Sequence, residues 1–183
     1  MPKPLMCPPE VPSPDLHGRR VIVTGANSGI GFVTAKQLAK QGASVTLACR
    51  NEAEGRARAD EIRAEVPNAD LEVRRLDLGD LSSIRAFADG YLADHEALHL
   101  LINNAGVMNT PEGKTVDGFE TQIGVNHLGH FLLTELLIDT LKKSAPARVV
   151  VVSSCYHDKA MGREGFIDLD DLHFDNRKYE GWA

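Results

Sequence analysis

The sequence predicts an α/β protein built on a doubly wound parallel sheet. Three observations carry this reading. From Arg20 to Val152 short apolar, mostly β-branched runs alternate with longer amphipathic segments; five such runs can be placed; and the first enters a glycine-rich turn that opens a helix. Strands separated by helices pair in parallel, and right-handed crossovers then distribute the helices over both faces. The expected spatial order is 3-2-1-4-5, with a ligand crevice at the strand C-termini above strands one and four, where the winding reverses.

The elements follow in order. Residues 1–18 hold Pro2, Pro4, Pro8, Pro9, Pro12 and Pro14, a density that opposes both helix and strand. This stretch is expected to be a disordered tail, with a Pro-rich protein ligand as the other reading; residues 19–183 form the folded domain. Val21-Ile22-Val23 is a buried strand that runs into Thr24-Gly25. Residues 29–40 form a helix stopped by Gly42, and Ser44–Cys49 the second strand. The charged, Ala-rich stretch 52–65 is a helix ended by Pro67, and Leu71–Leu76 the third strand. Asp80 caps a helix whose apolar face comprises Leu81, Ile84, Phe87, Ala88 and Leu92. Leu98–Ile102 is the fourth strand. Residues 119–143 read as one long helix with a stripe of Val125, Leu128, Leu132, Leu136 and Leu137, its C-terminal dipole matched by Lys142 and Lys143. Val149–Val152 is the fifth strand, and an acidic, irregular stretch follows.

Composition narrows the function. With 43% hydrophobic residues in 183, the chain buries a real core in one domain. A net charge of -6 argues against a nucleic-acid partner. Cys7, Cys49 and Cys155 give no disulfide framework, so a reducing, cytoplasmic location is expected. No run approaches the ~20 apolar residues of a membrane span, and the N-terminus lacks the apolar stretch of a signal peptide.

The first turn reads Thr24-Gly25-Ala26-Asn27-Ser28-Gly29-Ile30-Gly31. Gly25 permits a sharp turn, Gly29 a close approach of backbone to a pyrophosphate, and Gly31 close packing of helix on sheet. The helix N-terminus offers free N–H groups and the positive end of its dipole to phosphates. A tight βα turn without ligand is the plainer alternative. A strand before and a helix after, near the chain start, favour dinucleotide binding through Gly25, Asn27, Ser28, Gly29, Ile30 and Gly31, in a Rossmann-type fold.

With these residues the chain resembles the short-chain dehydrogenase/reductase superfamily from about Gly18 onward. The glycine turn matches the family's T-G-x-x-x-G-I-G. Asn103-Asn104-Ala105-Gly106 matches its N-N-A-G, Asn126 within Val125–Phe131 its helix asparagine, and Ser153-Ser154 the end of the strand that carries its serine. The wording around Asn126, and Lys114–Glu120, is most similar to retinol-dehydrogenase-type members.

The resemblance implies roles. Ser154 would hold the substrate oxygen, as oxyanion-type donors do, and Asn126 would hold a proton-relaying water. Asp77, with Leu78 beside it, would meet the adenine, and Asn104, Ala105 and Gly106 the nicotinamide-side ribose. Physically, the residue ending the second strand faces the adenosine ribose. Arg50 stands there instead of an acid, so a 2′-phosphate and NADP rather than NAD are expected, a solvated arginine being the other reading. The reaction implied is hydride transfer between an alcohol, retinol-like or otherwise lipophilic, and its carbonyl. A homo-oligomer is open for a full-length form.

Other clusters carry less. His127 and His130 lie one turn apart without a third metal ligand, and the resemblance makes them packing residues. Asp168, Asp170, Asp171 and Asp175 lack the spacing of a calcium loop. Cys155 shows no partner base. An extended sugar-nucleotide epimerase fits worse, because the glycine spacing has one residue too many.

One motif is missing. The family's acid/base is a tyrosine followed four residues later by lysine. Tyr91 is followed at that distance by His95, Tyr156 by Ala160 and Tyr179 by Ala183. Tyr156 with Lys159 is one residue short. In retinol-dehydrogenase-type sequences the tyrosine falls shortly after a segment like Lys178–Ala183. The expectation is therefore a chain that stops before its acid/base: a fragment or splice product of an ordinary oxidoreductase, or else a short protein that binds a nucleotide or a full-length relative without catalysis.

Overall fold

In a computed structural model the described residues are 14–154, 167–179 and 181. The first thirteen residues of the Pro-rich tail, Cys155 and Tyr156 lie outside them. Five parallel strands, β1 (Arg20–Thr24), β2 (Ser44–Cys49), β3 (Leu71–Arg75), β4 (Leu100–Asn103) and β5 (Arg148–Val151), form one sheet in the order β3-β2-β1-β4-β5. This is the fold class and strand order that the alternation of the sequence predicts. The chain joins the folded unit just ahead of the expected boundary at Gly18: the Leu16 amide donates to the Gln41 carbonyl at 2.8 Å, and its side chain packs on the core.

Period-two alternation along β1 assigns the two faces. Val21 and Val23 point to the layer made by α1 (Gly29–Lys40) and α2 (Glu52–Glu65), where they meet Ala35, Ala39 and Ile62. Ile22 points the other way, to α3 (Leu81–Asp94) and α5 (Gly129–Lys143), among Ile84, Phe87, Leu101, Leu133 and Leu137. Strands covered on both faces need apolar runs; β1 has an unbroken one in Val21-Ile22-Val23, while the run of β2 is interrupted by Thr46, whose buried hydroxyl donates to Glu72.

Four local expectations are corrected. Leu92 is 39% exposed, and Tyr91 is buried in its place. The ring lies on the stripe of Ile84 and Ala88, and its hydroxyl finds the Ala97 carbonyl at 2.9 Å, which makes burial of a phenol tolerable. The fourth strand is shifted to end at Asn103, because pairing with β1 starts only at Leu100. The fifth starts at Arg148, in register with Leu100. The long helix 119–143 is not uniform. A short α4 (Thr121–Ile123) leads into a π-helical turn, Gly124–Leu128, and only then into α5. The extra residue in this turn rotates the stripe, so that Leu133, Leu137 and Leu141 are fully buried while Leu132 and Leu136 are only partly so.

Among the described residues β5 pairs only with β4, and Val149, Val150, Val151 and Val152 are 37–65% exposed.

Candidate functional site

A crevice of about 570 Å³ opens at the C-terminal ends of β1, β2, β3 and β4. It is lined by Gly25, Asn27, Ser28, Gly29, Ile30, Gly31, Arg50, Asp77, Leu78, Asn104, Ala105 and Gly106, so the structure brings together every residue expected to face a dinucleotide. Thr24, Cys49, Asn51, Glu54, Val107 and Val125 complete much of its wall.

Its floor depends on two glycines. Gly25 has φ +66°, and a Cβ there would lie 2.9 Å from the Ala105 Cα. A Cβ on Gly31 would lie 2.3 Å from the Gly25 carbonyl oxygen and 2.5 Å from the Asn104 amide nitrogen. The first turn of α1 can therefore press against both the β1 turn and the β4 turn, a fit no side chain allows.

The α1 N-terminus differs from its neighbours. Asn51 caps α2, its side-chain oxygen accepting from the Ala53 and Glu54 amides, and Asp80 caps α3 on Ser82 and Ser83. Ser28 makes no side-chain cap on α1, and no acidic residue sits in that first turn. The helix end that faces the crevice is thus the one whose amides and dipole are not satisfied from within, which fits an anion such as a pyrophosphate.

At the β2 end Arg50 is exposed, and it makes no ion pair among the described residues. Beside it Glu54 accepts from Asn27 Nδ2 and Asn51 Nδ2, both at 2.9 Å, and so joins α2 to the glycine turn. Asp77 uses one carboxylate oxygen to receive the Gly79 amide at 3.0 Å, while its own amide donates to Ser83 Oγ.

The β4 turn is held from below by Thr24, which is fully buried. The Asn104 and Ala105 amides both donate to Thr24 Oγ1 at 2.9 Å, and Asn104 Nδ2 donates to the Thr24 carbonyl at 2.8 Å. The far end of the turn is held by Asn126. Its Oδ1 receives the Val107 amide and its Nδ2 donates to the Val107 carbonyl, both at 2.8 Å. Each amide atom retains one further hydrogen-bonding position, and the residue is exposed at a second depression with Glu120, Gln122 and Arg177. Asn126 and Ser154 therefore lie outside the lining of the main crevice; Ser154 is exposed beyond the end of β5.

The two histidines part company. His127 is exposed, so it is not the packing residue expected of it. His130 is buried and bonded at both ring nitrogens, to Thr24 Oγ1 and to the Asn126 carbonyl. Among the described residues no cluster of three potential metal ligands exists.

The tyrosines within reach of description do not supply the missing acid/base. Burial pushes the Tyr91 phenol up to about 12, the reverse of what proton exchange near neutral pH requires. The Tyr179 hydroxyl is occupied in a knot with Thr110, Gln122 and Glu120 at 3.1–3.3 Å.

Sequence reasoning gave Thr24 and Glu54 no role of their own and His130 only a packing role. Thr24 and Glu54 had signals: a hydroxyl immediately before the first glycine, and a glutamate three residues after a capping asparagine. His130 had none beyond its place one turn after Asn126.

A glycine turn beneath an unsatisfied helix end, at the reversal point of a doubly wound parallel sheet, defines a Rossmann-type α/β protein with a dinucleotide-shaped crevice. Comparison makes the class specific: the family model for short chain dehydrogenase matches residues 19–164, and the chain belongs to that family of NAD(P)-using oxidoreductases. It is 55% identical over 168 residues to human (Homo sapiens) retinol dehydrogenase 12, covering 92% of this chain and 52% of that protein. It is 50% identical over 173 residues to human retinol dehydrogenase 13, covering 94% and 50%. The chain thus spans about half the length of the relatives it matches. Among solved structures, an uncharacterised protein from Mycobacterium Paratuberculosis superposes with a TM-score of 0.78 at 47% identity, covering 92% of this chain and 56% of that one. A metagenomic short-chain oxidoreductase in complex with NADP gives a TM-score of 0.65 at 31% identity, covering 74% and 62%. No helix among the described residues is long and apolar enough to cross a membrane.

Proposed function

We propose that this chain is the cofactor-binding portion of an NADP-dependent oxidoreductase that interconverts a lipophilic alcohol of the retinol type and its carbonyl. The observation that carries the reading is Arg50 at the β2 end of the crevice, with no ion pair of its own among the described residues; an exposed guanidinium there supports an anionic 2′ substituent. The likeness to retinol dehydrogenases supports the substrate class, and the likeness to an NADP complex supports the cofactor.

In this reading Gly25, Asn27, Ser28, Gly29, Ile30 and Gly31 receive the pyrophosphate on the α1 amides. Asp77 and Leu78 flank the adenine. Asn104, Ala105 and Gly106 form the shelf for the nicotinamide half. When bound, the nicotinamide would accept the hydride from the alcohol in the oxidation and, in its reduced form, return it to the carbonyl in the reverse direction. Ser154 donates to the substrate oxygen and stabilises charge there. Asn126 uses its two remaining hydrogen-bonding positions to hold a water.

Residues 1–183 contain no tyrosine with lysine four residues on, so the pair that would move the hydroxyl proton in this reading is not among them. Such a group is typically worth ~10²–10⁴-fold in rate. The 183-residue chain is therefore expected to bind NADP⁺ without oxidising retinol. Calorimetric titration with NADP⁺ and NAD⁺, beside an assay at the reduced-nicotinamide absorbance band, tests both halves. Steady turnover by the purified chain would refute the mechanism, and absence of NADP⁺ binding would refute the site.

A further inference from the structure

The hydrogen bonds under the β4 turn close into a circuit whose polarity can be worked out proton by proton. Thr24 Oγ1 has one proton and two lone pairs. The Asn104 and Ala105 amides occupy both lone pairs. The hydroxyl proton must go to an acceptor, and His130 Nε2 at 2.9 Å is better placed than the Ile102 carbonyl at 3.4 Å. Nε2 then carries no proton. His130 Nδ1 faces the Asn126 carbonyl oxygen at 3.0 Å, and only an N–H can face a carbonyl at that distance. Both ends of the ring demand the same neutral form, protonated on Nδ1. Burial acts in the same direction, holding the imidazole below its ordinary range. The other tautomer would set three N–H donors on one hydroxyl and two acceptors against each other.

We propose that His130 is a positioning residue for the cofactor: as the neutral Nδ1–H imidazole it takes the Thr24 proton and aims both Thr24 lone pairs at the turn Asn104–Val107, fixing the shelf for the nicotinamide half. The same ring grips the π-helical turn through the Asn126 carbonyl, and the Asn126 side chain grips Val107, so both ends of the shelf are referred to one imidazole. This rests on the cofactor reading of the crevice.

The test separates the two claims. A long-range ¹H–¹⁵N spectrum of the histidine rings in the 183-residue chain reads the tautomer without any ligand. A protonated Nδ1 with a bare Nε2 is expected at His130, and a protonated Nε2 overturns the inference. Affinity is then read for NADP⁺ and for 2′,5′-ADP, which lacks the nicotinamide half. In His130→Gln the side-chain carbonyl can replace Nε2 as acceptor for Thr24. In His130→Asn the amide can replace only the Nδ1 donor. NADP⁺ should weaken roughly tenfold in His130→Asn, the loss of about one hydrogen-bonded constraint, and stay within about threefold of wild type in His130→Gln. 2′,5′-ADP should bind all three alike. Equal losses for both ligands, or equal NADP⁺ affinity in both variants, would reduce His130 to a packing residue. Failure of the wild-type chain to bind either ligand would instead overturn the cofactor reading, while the tautomer spectrum still judges the circuit.

Discussion

Replacing Gly31 by alanine should be costly although the residue lies in a helix, where alanine is ordinarily the better choice. A Cβ at this position would stand 2.3 Å from the Gly25 carbonyl oxygen, 2.9 Å from the Gly25 carbonyl carbon and 2.5 Å from Asn104 Nδ2. None of these is the loose end of a long side chain. Gly25 is fixed by its left-handed φ and by donation of its amide to the Ala48 carbonyl at 2.8 Å, and Asn104 Nδ2 is bonded to the Thr24 carbonyl. Overpacking of this kind costs about 1–3 kcal/mol. Loss of the Asn104–Thr24 bond adds about 0.5–1.5 kcal/mol. The helix propensity gained offsets about 1 kcal/mol. The net loss is about 0.5–3.5 kcal/mol, which lowers the melting temperature by roughly 4–8 °C at the middle of that range.

Gly90, in α3, supplies the control. The nearest atom to a Cβ there is Arg74 Nη1 at 3.3 Å, on a side chain held by Glu72 and Asp94, so the crowding is one contact and milder than at Gly31. Gly90→Ala should therefore cost clearly less than Gly31→Ala, the helix propensity gained, about 1 kcal/mol, offsetting the single contact. Urea unfolding followed by far-ultraviolet circular dichroism compares the two, and NADP⁺ titration follows the site. Gly31→Ala as stable as Gly90→Ala, with unchanged NADP⁺ affinity, would mean that the contact between α1 and the two turns is not what holds the crevice together.

Three further outcomes are expected. Arg50→Asp should reverse the cofactor preference by tenfold or more, since a charge-assisted pair contributes about 1.5–3 kcal/mol; paired calorimetric titrations that show no change would make the side chain a bystander. Lowering pH from 7.5 to 5.5 should destabilise the chain: His130 and His99 are both held below their ordinary range, chiefly by burial, so the unfolded chain binds the extra protons first. Their contribution is complete above about 6.5 and is lost as pH falls through the depressed folded values, so His130→Gln should flatten that part of the urea-midpoint profile. Val150→Lys places a charge on the β5 edge and should reduce light scattering of the purified chain; unchanged scattering would mean that the exposed valines do not drive association.

The parts of the molecule that were legible in the sequence are those governed by local rules. β1 announces itself by an unbroken apolar run, α2 by its charged, Ala-rich stretch ended by Pro67, and α3 by Asp80. The glycine spacing placed the crevice because Gly25 and Gly31 answer to backbone geometry, which their own positions in a strand–turn–helix unit fix. Leu92 was misplaced because hydropathy ranks a leucine above a tyrosine, whereas burial of Tyr91 depends on the Ala97 carbonyl, a partner that only the turn after α3 brings into reach.

The π-helical turn at Gly124–Leu128 shows why the remainder was not legible. Nothing in Gly124-Val125-Asn126-His127-Leu128 departs from an ordinary helical pattern, and an extra residue per turn has no local propensity signal. Its causes are tertiary. A Cβ on Gly124 would lie 2.4 Å from Thr115 Cγ2, and one on Gly129 would lie 2.5 Å from the Leu78 carbonyl oxygen, so both ends of the turn are pressed against chain more than eight residues away in sequence or on another element. Those contacts draw the segment in, Val107 claims both ends of the Asn126 amide, and His130 claims the Asn126 carbonyl. Each partner on its own reads as filler: a glycine in a helix, a valine after a turn, a histidine on a helix face. Only when β1, β4 and α5 are brought together do they become one support for the crevice, and for that reason a motif search finds the lining of the crevice but not the layer that holds it in place.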